Sequence, residues 1–268
     1  MNGKRADRSG DVYVTTRSVA VYKESMKMHT LHQEQPEDVR TPDVQTRDVQ
    51  TLDVQTVASM LDVSAVQANS TREQVRDFAD VALRYDCKAV FVLPCFLPYL
   101  RDYRAENGGK FLLGAPVGFP SGGTSTAMKV LEAKSELADG AEEIDMMLNV
   151  GYVLSGMYRE ALDDIRAVKE AVGPTTLKVI IECHYLDNDL IRRVAGMVVE
   201  GGAQWVKTGT GWTPTGATLE NVALLKRTVG DAAKVKASGG VRSFETVREM
   251  HRLGVERFGV GGSARTIL

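Results

Sequence analysis

From Val57 onward the chain alternates short β-branched apolar runs with longer stretches whose apolar positions recur every three or four residues. Eight of the short runs read as strands, over 60–64, 89–93, 111–117, 143–149, 177–182, 204–208, 235–238 and 257–260. Helical patterns follow seven of them, over 72–85, 98–105, 125–139, 158–172, 187–200, 219–229 and 244–253, with a stub after the eighth. A strand followed by a helix, repeated, gives parallel βα units, because a parallel pair needs a long crossover to bring the chain back. Eight units predict an α/β fold of the closed (β/α)8 TIM-barrel type. A doubly wound open sheet is the alternative, but no G-x-G-x-x-G stands at an early strand-to-helix turn.

Residues 1–56 have a different texture, polar and with hardly a glycine after Gly10. The tetrapeptide DVQT occurs at 43–46, 48–51 and 53–56, a five-residue period. Five residues rotate a helix by about 140°, and five is odd for a strand, so neither structure lines the repeated valines on one face. The segment is expected to be a polar N-terminal extension, flexible or loosely docked, or an arm for an oligomer or partner contact. The barrel then occupies 57–268.

Composition narrows the partners. With 43% apolar and 25% charged residues the chain has a normal globular balance. It lacks a run of about 18 apolar residues and an apolar N-terminal leader, so the expectation is a cytoplasmic protein without membrane contact. Thirty-three basic against 35 acidic residues leave no surplus to attract nucleic acid. Small molecules are the expected partners. Cys87, Cys95 and Cys183 are widely spaced and form no CxxC pair, and the four histidines are scattered except for His29 and His32. Free thiols, no metal and no cofactor are expected.

Candidate chemistry lies at the strand ends, where barrels of this kind carry their sites. Lys207 lies in Trp205-Val-Lys-Thr-Gly-Thr-Gly211, Lys236 in Val235-Lys-Ala-Ser-Gly-Gly240, and Asp145 in Glu143-Ile-Asp-Met-Met147. Strand side chains alternate, so if Val206 and Val235 face the helices, both lysines face the barrel axis. The same alternation groups Glu143 with Asp145, and Lys178 with Glu182. Pointed inward, these six form a set of three acids and three lysines, since buried charges survive only when paired. Such a set is either a structural ion-pair network or the seat of a reactive amine. A lysine attacks a carbonyl only when neutral, and burial beside a second cation lowers its pKa toward that state.

Val117-Gly-Phe-Pro120, Glu142-Glu-Ile-Asp-Met146, Leu177-Lys-Val-Ile-Ile-Glu182, Trp205-Val-Lys-Thr-Gly-Thr-Gly211 and Val235-Lys-Ala-Ser-Gly-Gly-Val-Arg242 stand in one order along the chain. With them the sequence resembles the deoxyribose-phosphate aldolase family, from about Leu61 to Ala264. The resemblance implies a class I aldolase that needs no metal or cofactor and reversibly cleaves 2-deoxyribose 5-phosphate to glyceraldehyde 3-phosphate and acetaldehyde. It makes Lys207 the Schiff-base lysine, Lys236 the lysine that perturbs it, Asp145 an acid/base acting with water, and Asp62 a supporting carboxylate. Substrate and phosphate contacts fall on Thr210, Gly211, Gly239, Gly240, Gly261, Gly262 and Ser263, where glycine lets backbone N–H groups approach a phosphate. Aldehyde and sugar-phosphate substrates, and a homodimer, are the implied partners.

Several positions depart from the family. Gly261 and Gly262 stand where serines are usual, Gly209 where a serine precedes Thr210, and Trp212 where lysine or phenylalanine is found. Phe91 and Leu93 replace cysteine and a polar or aromatic residue, and Gln67 a lysine. These changes leave open a bulkier, more apolar pocket for a non-phosphorylated or different aldehyde. A barrel that binds sugar phosphates without catalysis is the non-enzymatic alternative.

Overall fold

The computed structural model describes residues 52–268; the rest of the extension, with two of the three DVQT copies, His29 and His32, lies outside the described residues. The third copy opens helix α1 (Val54–Ala58): the Asp53 carboxylate accepts from the Thr56 N–H at 2.7 Å, a bond that holds its pKa below the usual aspartate value. Residues 53–56 are exposed, and burial begins at Val57.

Eight parallel strands follow, β1 (Leu61–Ala65), β2 (Ala89–Val92), β3 (Leu112–Val117), β4 (Glu143–Met147), β5 (Thr176–Ile180), β6 (Trp205–Lys207), β7 (Lys234–Ser238) and β8 (Arg257–Val260). They pair in chain order and close, β8 on β1, which makes the fold a (β/α)8 barrel. Around it run α2 (Arg72–Tyr85), α3 (Leu97–Glu106), α4 (Thr126–Ala138), α5 (Val150–Leu154), α6 (Tyr158–Val172), α7 (Asn188–Glu200), α8 (Leu219–Val229), α9 (Phe244–Arg252) and the terminal turn α10 (Ala264–Ile267). Thr71, Asp187, Thr218 and Ser243 each cap a helix, their side chains accepting the N–H three residues on. Two expected strands end two residues early. Asn149 turns out of β4 to cap the extra helix α5, and Glu182 takes a left-handed conformation (φ 51°) that stops the β5 ladder.

Register sorts the side chains into two faces. Val63 pairs with Val90, Ala115 with Ile144, Val179 with Val206, and Val206 with Val235, a buried row that packs under the helices. The intervening pairs point the other way, to the axis: Asp145 with Lys178, Lys207 with Lys236, and Lys236 with Arg257. Lys207 and Lys236 therefore share one level inside the barrel, as the alternation of each strand predicts. Cys87, Cys95 and Cys183 are free thiols. Among the described residues no helix is long and apolar enough to cross a membrane.

Candidate active site

Asp145 is the hub of the barrel interior. It is fully buried, and its Oδ2 accepts from Lys207 Nζ at 2.8 Å and from Lys236 Nζ at 2.7 Å, while Lys178 Nζ lies 3.2 Å from Oδ1. Lys236 also meets Asp62 Oδ2 at 2.6 Å, and Arg257 joins Asp62 to Glu143 through contacts of 2.7 and 2.6 Å. Glu143 in turn accepts from Lys178 at 2.7 Å. Paired this way, each buried charge has an opposite neighbour. Beneath them Phe91 sets its ring 4.1 Å from Lys236 Nζ and 4.8 Å from Lys178 Nζ, a cation–π floor. Gly114 opposite makes room for it, since a Cβ there would stand 2.4 Å from the ring.

The pKa values of the two lysines on Asp145 move in opposite directions. Burial is the largest influence on Lys207; with Lys236 and Lys178 it outweighs Asp145 and brings the amine down to about 8. Burial also opposes charge on Lys236, but Asp145 and Asp62 together overcome it and raise its pKa above the ordinary lysine value. The second carboxylate is what separates them. Burial works against ionised Asp145 as well, and Lys178, Lys207 and Lys236 override it, holding the carboxyl well below its usual range.

Access separates the lysines too. Lys207 retains 9% of its side-chain exposure and lines a cavity of about 390 Å³ at the carboxyl ends of the strands, whereas Lys236 and Asp145 are sealed beneath it. Thr210, Gly211, Gly239, Gly240, Gly261, Gly262 and Ser263 all line that cavity. Gly239 (φ 77°) and Gly240 (φ 130°) hold backbone conformations that side chains disfavour. Ser263 directs its hydroxyl to the Val241 carbonyl at 3.0 Å, so that proton points into the loop rather than the cavity. Thr210 donates its hydroxyl to Glu182 and accepts the Trp212 N–H at 3.0 Å.

Glu182 departs from the expected set of three acids and three lysines. It is buried, but past the end of β5 the strand alternation no longer governs it, and its carboxylate takes Thr210 N–H and the Thr210 and Thr213 hydroxyls instead of a lysine. Gly209 accommodates this, because a Cβ there would lie 2.6 Å from Glu182 Oε1. The third acid of the network is Asp62, and Arg257 adds a cation that sequence reasoning passed over. Its signal was available: Arg257 and Gly259 share one face of β8, the strand that leads into Gly261 and Gly262. Arg242, exposed on the cavity wall, was likewise missed. Among the described residues no group of three or more His, Cys, Asp or Glu side chains is placed to hold a metal ion.

Residues 50–263 match the model of the DeoC/LacD family aldolases. The chain is 47% identical over 210 residues to the deoxyribose-phosphate aldolase of Klebsiella pneumoniae, covering 78% of this chain and 84% of that one. It is 48% identical over 204 residues to that of Rhizobium meliloti, covering 76% and 82%. The solved deoxyribose phosphate aldolase of Aeropyrum pernix, described as a unique tetramer, superposes with a TM-score of 0.71 at 26% identity, over 80% of this chain and 90% of that one. The ordered motifs, the closed barrel and the buried lysine–aspartate network all belong to one protein type: the chain is a member of the DeoC/LacD family of class I, Schiff-base aldolases.

Proposed function

We propose that the protein cleaves 2-deoxyribose 5-phosphate reversibly to glyceraldehyde 3-phosphate and acetaldehyde through an imine on Lys207. The observation that carries this reading is the asymmetry of the lysine pair: Lys207 faces the cavity with its pKa brought to about 8, while Lys236 is sealed and held charged. At pH 7 roughly a tenth of a group with pKa 8 is neutral, about two hundred times more than for an ordinary lysine. The neutral amine adds to C1 of the open-chain sugar, and uptake of a proton with loss of water gives the iminium. The proton of the 3-hydroxyl then leaves through a water aligned by Asp145, the C2–C3 bond breaks, and its electrons pass to the iminium to give an enamine. Protonation at C2 and hydrolysis release acetaldehyde and restore the amine. Asp62 and Arg257 act by keeping Lys236 and Asp145 in place.

The phosphate end falls to the loops after β7 and β8, where Gly239, Gly240, Gly261 and Gly262 leave backbone open to the cavity and Arg242 supplies a cation at its wall. A second reading, an aldehyde without phosphate, draws on the glycines at 261 and 262 and the aromatic at Trp212. Borohydride trapping with acetaldehyde is expected to add mass to the peptide containing Lys207 and to no peptide of Lys207→Ala; an unmodified Lys207 would defeat the mechanism. Deoxyribose 5-phosphate and deoxyribose assayed in parallel decide the substrate, equal kcat/KM favouring the second reading. A homodimer and an N-terminal extension ahead of Val57 also belong to this proposal and are read from the oligomeric state and activity of the chain with and without residues 1–51.

A further inference from the structure

Three exposed apolar side chains converge on one pocket: Leu154 (56% exposed), Tyr185 (54%) and Trp212 (40%). With Pro120, Met147 and Val150 they line about 430 Å³ at the same mouth of the barrel as the Lys207 cavity. The two spaces lie on different flanks. The Lys207 cavity is built mainly by the loops after β1, β6, β7 and β8, and the apolar pocket by those after β3, β4, β5 and β6. Thr210 and Thr213 border both.

The pocket lies within reach of the reactive amine. Met147 is two residues beyond Asp145 on β4, so it shares the inward face about 7 Å nearer the mouth. Asp145 is itself in contact with Lys207. Of the pocket's polar groups, Glu182 is taken by Thr210 and Thr213, and Ser121 accepts the Gly123 N–H at 3.2 Å. Trp212 is fixed as a wall: its indole N–H donates to Val66 O at 3.0 Å and its ring stands edge-on to Phe119 at 5.7 Å between centroids. What the pocket offers a ligand is apolar area beside a Schiff-base lysine, and an exposed apolar patch at such a place is a binding feature rather than random surface.

We infer that this pocket is a subsite for the alkyl chain of an aldehyde carried on Lys207. The inference rests on the imine chemistry proposed above. An aldehyde R–CH2–CHO condenses with the neutral amine, taking up a proton and expelling water; the iminium loses a proton from the adjacent carbon to give the neutral enamine, from which R projects. The phosphate end of an acceptor occupies the β7–β8 side, so R takes the opposite flank, toward Met147 and Leu154. Carbon–carbon bond formation with the acceptor carbonyl and hydrolysis of the new iminium by water complete the cycle and regenerate the amine.

The test is cyanoborohydride trapping of the full chain with hexanal and with acetaldehyde, scored as modification of the Lys207 peptide against aldehyde concentration. Hexanal is expected to reach half-modification at a concentration at least tenfold lower than acetaldehyde. Leu154→Asp, at an exposed position, is expected to remove that preference and leave acetaldehyde trapping unchanged. Equal half-modification by the two aldehydes in the parent chain, or a preference that survives Leu154→Asp, overturns the inference while leaving the imine at Lys207 standing. A change of oligomeric state in Leu154→Asp with the hexanal preference intact overturns it too, and assigns the patch to contact between copies. Absence of acetaldehyde at Lys207 in the parent chain overturns the imine chemistry and this subsite together.

Discussion

Lys207 and Lys236 touch the same oxygen of Asp145, and only Lys236 has a second acid, Asp62, within 2.6 Å. That one extra contact raises the Lys236 pKa while that of Lys207 falls to about 8, which makes Lys207 the proposed attacking amine. The pH dependence follows with a definite sign: as pH rises through about 8, Lys207 loses its proton, so kcat/KM for cleavage is expected to climb along a limb centred there. Lys236→Leu removes the cation that helps depress Lys207 but leaves Asp145 beside it. The limb is expected to move to higher pH, with kcat/KM at pH 7 falling roughly tenfold or more, since moving the midpoint up by about one pH unit leaves about a tenth as much neutral amine. A limb that stays at about 8 in this variant would show that burial alone sets the Lys207 pKa. The same variant takes one of two cations from Asp62, which keeps Arg257 at 2.7 Å, so its thermal stability is measured alongside.

At the level of elements, the loop after β8 carries the clearest departure from the family. Neither Gly261 nor Gly262 has a positive φ, a Cβ at 262 would meet nothing within 4 Å, and one at 261 would lie 3.6 Å from Ser64 O. Serine therefore fits at both positions without strain. If phosphate binds here, Gly261→Ser and Gly262→Ser each add a hydroxyl donor, and a hydrogen bond to a charged group contributes about 1.5–3 kcal/mol. KM for deoxyribose 5-phosphate is expected to fall by about tenfold or more in the double variant, with KM for deoxyribose unmoved. An equal fall for both substrates would place the phosphate elsewhere. By contrast, Gly239 and Gly240 have positive φ values, and the loop after β7 does not tolerate the same exchange.

Across the molecule, stability and chemistry draw on buried charge in opposite ways. Glu136 on α4 is buried with both carboxylate oxygens lacking a hydrogen-bond partner among the described residues, and burial, then Glu132 and Asp139, pushes its pKa up to about 9. A pKa raised in the folded state means that the folded chain holds a proton the unfolded chain has released. Stability from this group is full below about 4.5 and declines as pH rises toward 9, by about 1.4 kcal/mol per pH unit. Glu136→Gln is expected to flatten the fall of Tm between pH 5 and 9 and to stabilise the fold at pH 7 by on the order of 3 kcal/mol; an unchanged slope would mean that Glu136 ionises in the native state. Asp145 and Asp62, with lowered pKa values, act the other way and lose their contribution as pH falls below the usual aspartate range. The strands, the helices and the inward set of Lys207, Lys236, Lys178, Glu143 and Asp145 were legible in the chain, because alternation along a strand is local and survives into any barrel. Glu182 was misread where its strand had already ended, and Arg257 was missed because its partners, Asp62 and Glu143, lie 195 and 114 residues away. Only closure of β8 onto β1 brings those groups together, opens one lysine to a cavity while sealing the other, and gathers four separate loops around an apolar pocket. Those are distances across the barrel, set by the stagger and tilt of eight strands at once, and no periodicity within a single segment encodes them.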